Sequence, residues 1–303
     1  MKFRTSGVIV KCRFFIIILL VTVIGGCASS HISNNAKPFY YFQMADTQFG
    51  MFTDNKGFEK ETANFEKAVE SANRLHPAFV IVCGDLVNRT GDQTQIAEYK
   101  RIAAKLDRSI PIYNVAGNHD VGNKPTAASL ADYHKNFGPD YYTFQYGNLY
   151  GIVLNSSLFF DPSGAPEEAA KQEAWLRSTL EGTTKMKNKN IVVFEHIPWF
   201  INQADEADQY FNIPAQRRKE YVDLLKKYGV RYVFAGHLHK NAIGTDGPLT
   251  VVTTGPIGKP LGKDPSGFRI VTVEGTKMSY PYYSLDSIPV KVEFSGQESS
   301  KSF

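Results

Sequence analysis

Cysteine is scarce in this 303-residue chain, with only Cys12, Cys27 and Cys83. That number excludes a disulfide framework and a zinc–thiolate site. Cys83 stands alone at the end of the apolar run Ala78–Cys83 and reads as a buried packing residue. Net charge is also nearly lacking. The formal +4 is carried by Lys2, Arg4, Lys11 and Arg13, ahead of residue 27 where no acidic residue stands; the remainder holds 30 basic and 30 acidic groups. No bulk attraction to polyanions follows, and no nucleic-acid partner is expected. The most apolar run, Phe14–Ile24, is shorter than the roughly 18 residues of a membrane-spanning helix. No internal repeat and no second-domain boundary are visible. What the chain does have is a core: 43% hydrophobic and 13% aromatic residues exclude a disordered polymer.

The N-terminus has the build of a secretory signal, a basic stretch before Phe14–Ile24 and then Gly25-Gly26-Cys27. Small residues directly before a cysteine resemble the lipobox of bacterial lipoprotein signals. That resemblance implies a signal peptide over 1–26, cleavage before Cys27, and a lipid on its sulfur that anchors the chain to a membrane. It also implies an exported cell-envelope protein, facing the periplasm or held at the outer membrane or surface. The alternative is an uncleaved N-terminal anchor. Small and polar residues to Lys37 make 27–37 a tether.

From residue 38 the pattern alternates. Phe39–Ala45 reads as a strand. An amphipathic helix follows, with Phe58, Thr62, Phe65, Val69, Ala72 and Leu75 at spacings of three and four. Ala78–Cys83 is continuous enough for a strand buried on both faces. A second helix carries Ile96, Tyr99, Ile102 and Leu106, and Ile110–Ala116 is a third strand. After a helix near 127–137, Tyr141–Tyr146 and Leu149–Leu154 flank Gly147-Asn148, a two-residue hairpin signal. A helix around Trp175 and Leu180, the strand Ile191–Phe194, a helix bearing Tyr221, Leu224 and Leu225, and the strand Val230–Ala235 follow. Leu249–Thr253, Phe268–Val273 and Met278–Tyr283 close the chain as strands, and 288–303 reads as a frayed polar tail. The expected class is α/β, with two mixed sheets packed together and helices outside.

Five of the apolar runs end in residues suited to metal binding and proton transfer: Asp46 with Gln48, Asp85, Asn118 with His119, His196, and His237 with His239. A strand that delivers polar groups to its C-terminal end places them on a rigid element. Singly, such residues are most often turn residues, helix caps or satisfied structural histidines. Four of the seven histidines at these ends make a shared site the better reading.

In this order, Asp46-Thr47-Gln48, Gly84-Asp85, Gly117-Asn118-His119-Asp120, His196 and Gly236-His237-Leu238-His239 resemble the calcineurin-like metallophosphoesterase superfamily. The resemblance implies a four-layer αββα sandwich over 38–287 holding two divalent metal ions, Mn, Fe, Zn or Mg. Asp85 falls where the family has the carboxylate that bridges both ions. Asp46, Gln48 and His239 would complete one metal, and Asn118, His196 and His237 the other. His119 matches the proton donor to the leaving oxygen, with Asp120 in a supporting catalytic role. Carboxylate, amide oxygen and imidazole suit such ions. Two bridged ions activate water and neutralise phosphoryl oxygens.

Met44–Gly50 is similar to the Asp-x-Gln-Phe-Gly segment of the calcineurin-like phosphoesterase-domain-containing subgroup, whose animal members are regarded as serine/threonine phosphatases. Cys83–Leu86, Glu195–Pro198 and Tyr282–Asp286 look similar to the subgroup too. At Gln48 most of the superfamily has histidine; an amide oxygen is the harder donor and leans towards Mn²⁺ or Mg²⁺. Gly84–Arg89 echoes the main protein phosphatases, with Arg89 a candidate phosphate ligand. Asn88 there replaces the aspartate that pairs with the proton-donating histidine. It also stands where purple acid phosphatases want a tyrosine, so no iron-tyrosinate colour is expected.

The expected activity is hydrolysis of phosphate monoesters by a metal-activated water, with a phosphorylated substrate and no obligate protein partner. Alternatives are a phosphodiesterase or nucleotidase on the same site, a non-catalytic surface binding lipoprotein, and a structural metal protein. Substrate choice would lie in loops 159–166, 199–213 and 257–265. Trp199, Phe200 and Phe211 could form an apolar wall, and Asp205–Asp208 would disfavour anions if it lies at the mouth.

Overall fold

The computed structural model describes residues 37–187 and 189–295, together with Met1. Cys27, the 1–26 segment and all but the end of the 27–37 tether lie outside the described residues, as do 296–303. Among the described residues, no helix is long and apolar enough to cross a membrane.

The elements run in the order the periodicity implies. They are β1 Phe39–Met44, α1 Glu59–Leu75, β2 Val80–Cys83, α2 Gln93–Ala103, β3 Ile112–Val115, α3 Asn118–Val121, α4 Ala127–Phe137, β4 Tyr142–Tyr146 and β5 Leu149–Val153. Then come α5 Ser157–Phe160, α6 Pro166–Thr183, β6 Asn190–Phe194, α7 Ala215–Lys227, β7 Tyr232–Ala235, β8 Ala242–Asp246, β9 Leu249–Thr253, β10 Gly267–Glu274, β11 Lys277–Ser279 and β12 Tyr282–Ser284. One sheet has the order β11-β10-β1-β2-β3, with β12 also paired to β10; the other has β4-β5-β6-β7-β9-β8. The strands β1, β2 and β3 are parallel, as are β5, β6, β7 and β9, while β10, β4 and β8 pair antiparallel. These are two mixed sheets.

The inner strands β2 and β7 are buried on both faces, which is why they read as unbroken apolar runs. Along β1, Phe39 and Tyr41 point between the sheets, whereas Phe42 and Met44 point towards the helices. The middle layer joins Tyr41, Phe79, Ile81 and Val271 to Phe144, Phe194, Phe234 and Val252. Outside it, α1 places Phe65, Val69 and Ala72, and α4 places Leu130 and Tyr133, against the first sheet. On the other side Leu176 and Leu180 of α6 and Tyr221, Val222 and Leu225 of α7 cover the second. The result is a four-layer αββα sandwich.

Three local expectations change. Met278–Tyr283 is not one strand: Pro281 has no N–H to donate, and β11 and β12 pair with β10 on either side of it. Strand β8 has no apolar run behind it; Gly244 and the Asp246–Pro248 turn mask a short edge strand that pairs with β9. The tail is docked rather than frayed up to Ser295. Ile288 and Val292 pack on the core, and the Arg74 guanidinium donates to the carbonyls of Pro289 and Val290 at 3.1 and 3.2 Å. The composition of this stretch is polar, but two apolar side chains and a cation reaching from α1 are enough to hold it.

Candidate metal centre

The C-terminal ends of β1, β2, β6 and β7 meet at one edge of the sandwich. Asp46 N–H donates to Gly84 O at 3.0 Å, Gln48 N–H to Asp85 O at 2.8 Å, and Glu195 N–H to Phe234 O at 3.0 Å, so each loop is tied to its neighbour. Asp46, Gln48, Asp85, Asn118, His196, His237 and His239 are all buried there. One ligand atom each from Asp85, His196 and His237 lies within 4.8 Å of the others, and the same holds for Asp46, Asp85 and His239. Asp85 is common to both groups.

The backbone at these positions is strained. Asp46, Gln48, Asp85, His237 and His239 all have positive φ, from 42° to 70°. They are five of the eight non-glycine residues in that region among the described ones. Each such residue costs on the order of 1–3 kcal/mol and persists only where its surroundings over-determine it. Strain gathered on the polar ends of three strands, β1, β2 and β7, marks a site rather than a set of ordinary turns. Close approach adds a second constraint: a Cβ at Gly117 would lie 2.0 Å from Asp85 N, and one at Gly84 would lie 2.5 Å from the His196 ring. Only glycine lets the β3 loop and the His196 side chain come this near to Asp85.

The histidines are poised by their carbonyl partners. A carbonyl can only accept, so the ring nitrogen facing it carries the proton. His196 Nδ1 donates to Cys83 O at 2.9 Å, His239 Nδ1 to Lys259 O at 2.6 Å, and His237 Nε2 to Tyr210 O at 3.0 Å. The bare nitrogens are therefore Nε2 of His196, Nε2 of His239 and Nδ1 of His237. His196 Nε2 looks at Asn118 Oδ1 at 2.9 Å and Asp85 Oδ1 at 3.2 Å, and His239 Nε2 at Asp46 Oδ1 at 3.4 Å. Three lone-pair atoms converging on one point repel unless a cation or a proton stands between them.

The electrostatics agree. Burial would push His196 down, yet Asp85 and Asp46 beside it hold it up at about 9, the pull two carboxylates exert on any cation placed there. Burial pushes Asp46 up to about 6 against the pull of His239 and His196. Burial would also raise Asp85, but His196 and His119 keep it well below the usual carboxylate range. Burial keeps His237 neutral, at about 3. Gln48 Oε1 is buried with no hydrogen-bond partner, an acceptor whose burial is explained if it faces a cation. The donor set fits two divalent ions.

His119 is half-buried beside this cluster. Its N–H donates to Asp85 Oδ1 at 2.8 Å, and its Nδ1 donates to Asn88 O at 2.7 Å. The main-chain carbonyl of Asn88 thus orients the ring, a task that needs no carboxylate at that position, and Nε2 is left free. The Asn88 amide instead donates to Asn55 Oδ1 at 2.8 Å.

Asp120, expected in a supporting role, is held by the backbone around the cluster. It is buried, and its oxygens accept from the N–H groups of Leu86, Val87 and Gly117 at 3.2, 3.1 and 2.8 Å. It braces the turns that carry Asp85 and Asn118. Arg89 is exposed and lies 3.8 Å from Asp92; its loop reaches the centre through Thr90 Oγ1, which donates to His119 O at 2.8 Å.

The 199–213 loop also departs from expectation. Trp199 and Phe200 are fully buried in the core behind the second sheet, with Trp199 stacked on Tyr221, so they form no substrate wall. Phe211 does reach the centre, its ring 5.5 Å from that of His237. Tyr210, which carries no sequence signal beyond lying in this loop, touches both Asn118 and His237. Within the acidic stretch Glu206 accepts from Ile201 N, Asn202 N and Asn212 Nδ2, and Asp208 from Ala215 N and Arg218, while Asp205 is exposed.

An αββα sandwich with a carboxylate shared by two ligand clusters at its strand ends defines a dimetal hydrolase of phosphate esters. The family model for calcineurin-like phosphoesterases matches residues 41–241. The serine/threonine-protein phosphatase CPPED1 of Mus musculus is 39% identical over 266 residues, 83% of this chain and 85% of its own length. Among solved structures, a dimetal phosphatase from Danio rerio superposes with a TM-score of 0.58 at 16% identity, over 82% of this chain and 96% of that one. The purple acid phosphatase PPD1 of yellow lupin does so at 0.61 and 14% identity, over 84% and 52%. These two establish the fold alone. The chain belongs to the calcineurin-like phosphoesterase family, and is by class a phosphoric-ester hydrolase.

Proposed function

We propose that the protein is a dimetal phosphomonoesterase acting on phosphorylated serine or threonine side chains. The observation that carries this is Asp85, whose carboxylate belongs to both ligand clusters. Similarity to the mouse phosphatase over most of both chains supports the substrate class. Asp46, Gln48 and His239 would hold one ion, Asn118, His196 and His237 the other, and Asp85 both. When bound, two such ions lower the pKa of water and neutralise phosphoryl charge. The chain's own part is positional. His119, turned by Asn88 O so that Nε2 is free, hands a proton to the leaving oxygen. Arg89, exposed and only loosely tied to Asp92, meets the phosphate from the loop beside His119.

The reading is tested with purified protein stripped by chelator and reloaded with Mn²⁺. A phosphoserine peptide should be hydrolysed only after reloading, and at least tenfold faster than a diester such as bis-p-nitrophenyl phosphate. A preference for the diester would make the protein a phosphodiesterase instead.

We further infer, from the basic and apolar run ending at Gly25-Gly26-Cys27, that the domain is exported by a bacterium and anchored through lipid on Cys27. Expressed in a bacterial host, the full chain should fractionate with membranes and Cys27→Ser should not. Equal membrane partition of the two would remove the anchor.

A further inference from the structure

The loop between Pro198 and Pro214 is far more ordered than its composition suggests. Ile213 N–H closes it onto Pro198 O at 3.0 Å. The guanidinium of Arg218, fully buried on α7, donates to the carbonyls of Ile213 at 2.9 Å, Ala204 at 3.2 Å and Glu206, and to the carboxylate of Asp208 at 3.1 Å. Glu206 caps the N–H groups of Ile201, Asn202 and Gln203 at the loop's entry, and the Asn212 amide bridges Glu206 to Ala207 O. A buried arginine is costly unless its donors are matched, and here they are matched almost wholly by loop carbonyls. The arginine clasps the loop on both sides of Tyr210.

Tyr210 touches the candidate metal centre twice. Its carbonyl accepts the Nε2 proton of His237 at 3.0 Å, which fixes that ring's tautomer and leaves Nδ1 bare. Its phenol oxygen accepts from Asn118 Nδ2 at 3.2 Å. An asparagine side chain has two near-isosteric ends, and only the oxygen can ligate a cation. The tie to Tyr210 holds the nitrogen away, so that Asn118 Oδ1 faces His196 Nε2 at 2.9 Å. Both partners of Tyr210 belong to the same one of the two proposed ligand sets, and no contact joins it to Asp46, Gln48 or His239 among the described residues.

We propose that Tyr210 is a positioning residue for one metal only, the ion assigned to Asn118, His196 and His237. The Arg218-clasped loop thereby makes the affinity of that position depend on loop order, while the other position does not feel it. This rests on the dimetal reading above.

The test is a calorimetric Mn²⁺ titration of stripped wild-type protein and of Tyr210→Phe, which keeps the ring and removes only the hydroxyl. Outer-sphere partners of metal ligands are typically worth 10–100-fold in affinity. Tyr210→Phe should therefore weaken one of two sites by about that factor and leave the other unchanged. The unfolding temperature of the stripped protein should not move. Turnover lost at limiting Mn²⁺ should return to the wild-type kcat at saturating Mn²⁺, with KM unaltered. Two unchanged sites, or two equally weakened ones, would overturn the proposal. So would a kcat deficit or raised KM that saturating metal does not repair, since the hydroxyl would then act on substrate. A wild-type protein that takes up fewer than two ions would instead overturn the dimetal reading, and this inference with it.

Discussion

Asp85→Asn should lose both metal ions and almost all turnover. The substitution is close to isosteric, and asparagine tolerates the φ of 50° that this position imposes. Its side-chain oxygen can still accept the His119 N–H, which Asp85 Oδ1 holds at 2.8 Å. What disappears is the charge of Asp85, the residue common to the cluster with His196 and His237 and the cluster with Asp46 and His239. Metal ions supply several kcal/mol of transition-state stabilisation, and each ~1.4 kcal/mol is tenfold in rate. A fall in kcat of about three decades or more follows, with near-zero metal by elemental analysis. Retention of both ions at wild-type affinity would show that Asp85 bridges nothing.

His119→Ala should separate binding from chemistry. The ring is half-buried beside the cluster, and among the described residues its hydrogen bond runs from Nδ1 to Asn88 O. The N–H that contacts Asp85 belongs to the main chain and survives truncation. Metal content should stay at the wild-type level while kcat drops by roughly 10²–10⁴-fold, the usual range for a lost general acid. The loss should shrink with a substrate whose leaving group needs no proton, such as a nitrophenyl ester. An equal loss on both substrates would remove His119 from the role of proton donor.

How far these side chains could be read from the sequence depends on what fixes each one. The strand ends were legible because the inner strands are buried on both faces: Val80–Cys83 and Tyr232–Ala235 are apolar throughout and Phe39–Met44 is so but for Gln43, so a polar residue directly after them stands out. The hairpin at Gly147-Asn148 and the helices α1 and α4 follow from turn chemistry and spacing for the same local reasons. Less legible is anything decided by a partner distant in sequence. Trp199 and Phe200 look like a ligand wall beside His196, yet α6 and α7 cover them. Asp120 sits next to His119 in the chain, but three amides turn its carboxylate inward. The acidic run 205–208 reads as surface charge, and the buried Arg218 ten residues on converts Asp208 into part of a clasp. Tyr210 reaches Asn118 across 92 positions, a contact that no local pattern announces.

The central claim is that one cluster of strand-end side chains holds two ions through a shared carboxylate. The most direct measurement is the Mn²⁺ stoichiometry of the purified chain, read beside that of Asn118→Ala and Asp85→Asn. Two ions, one and none are expected, in that order. Two ions retained by Asp85→Asn, or at most one in the wild-type protein, would contradict it.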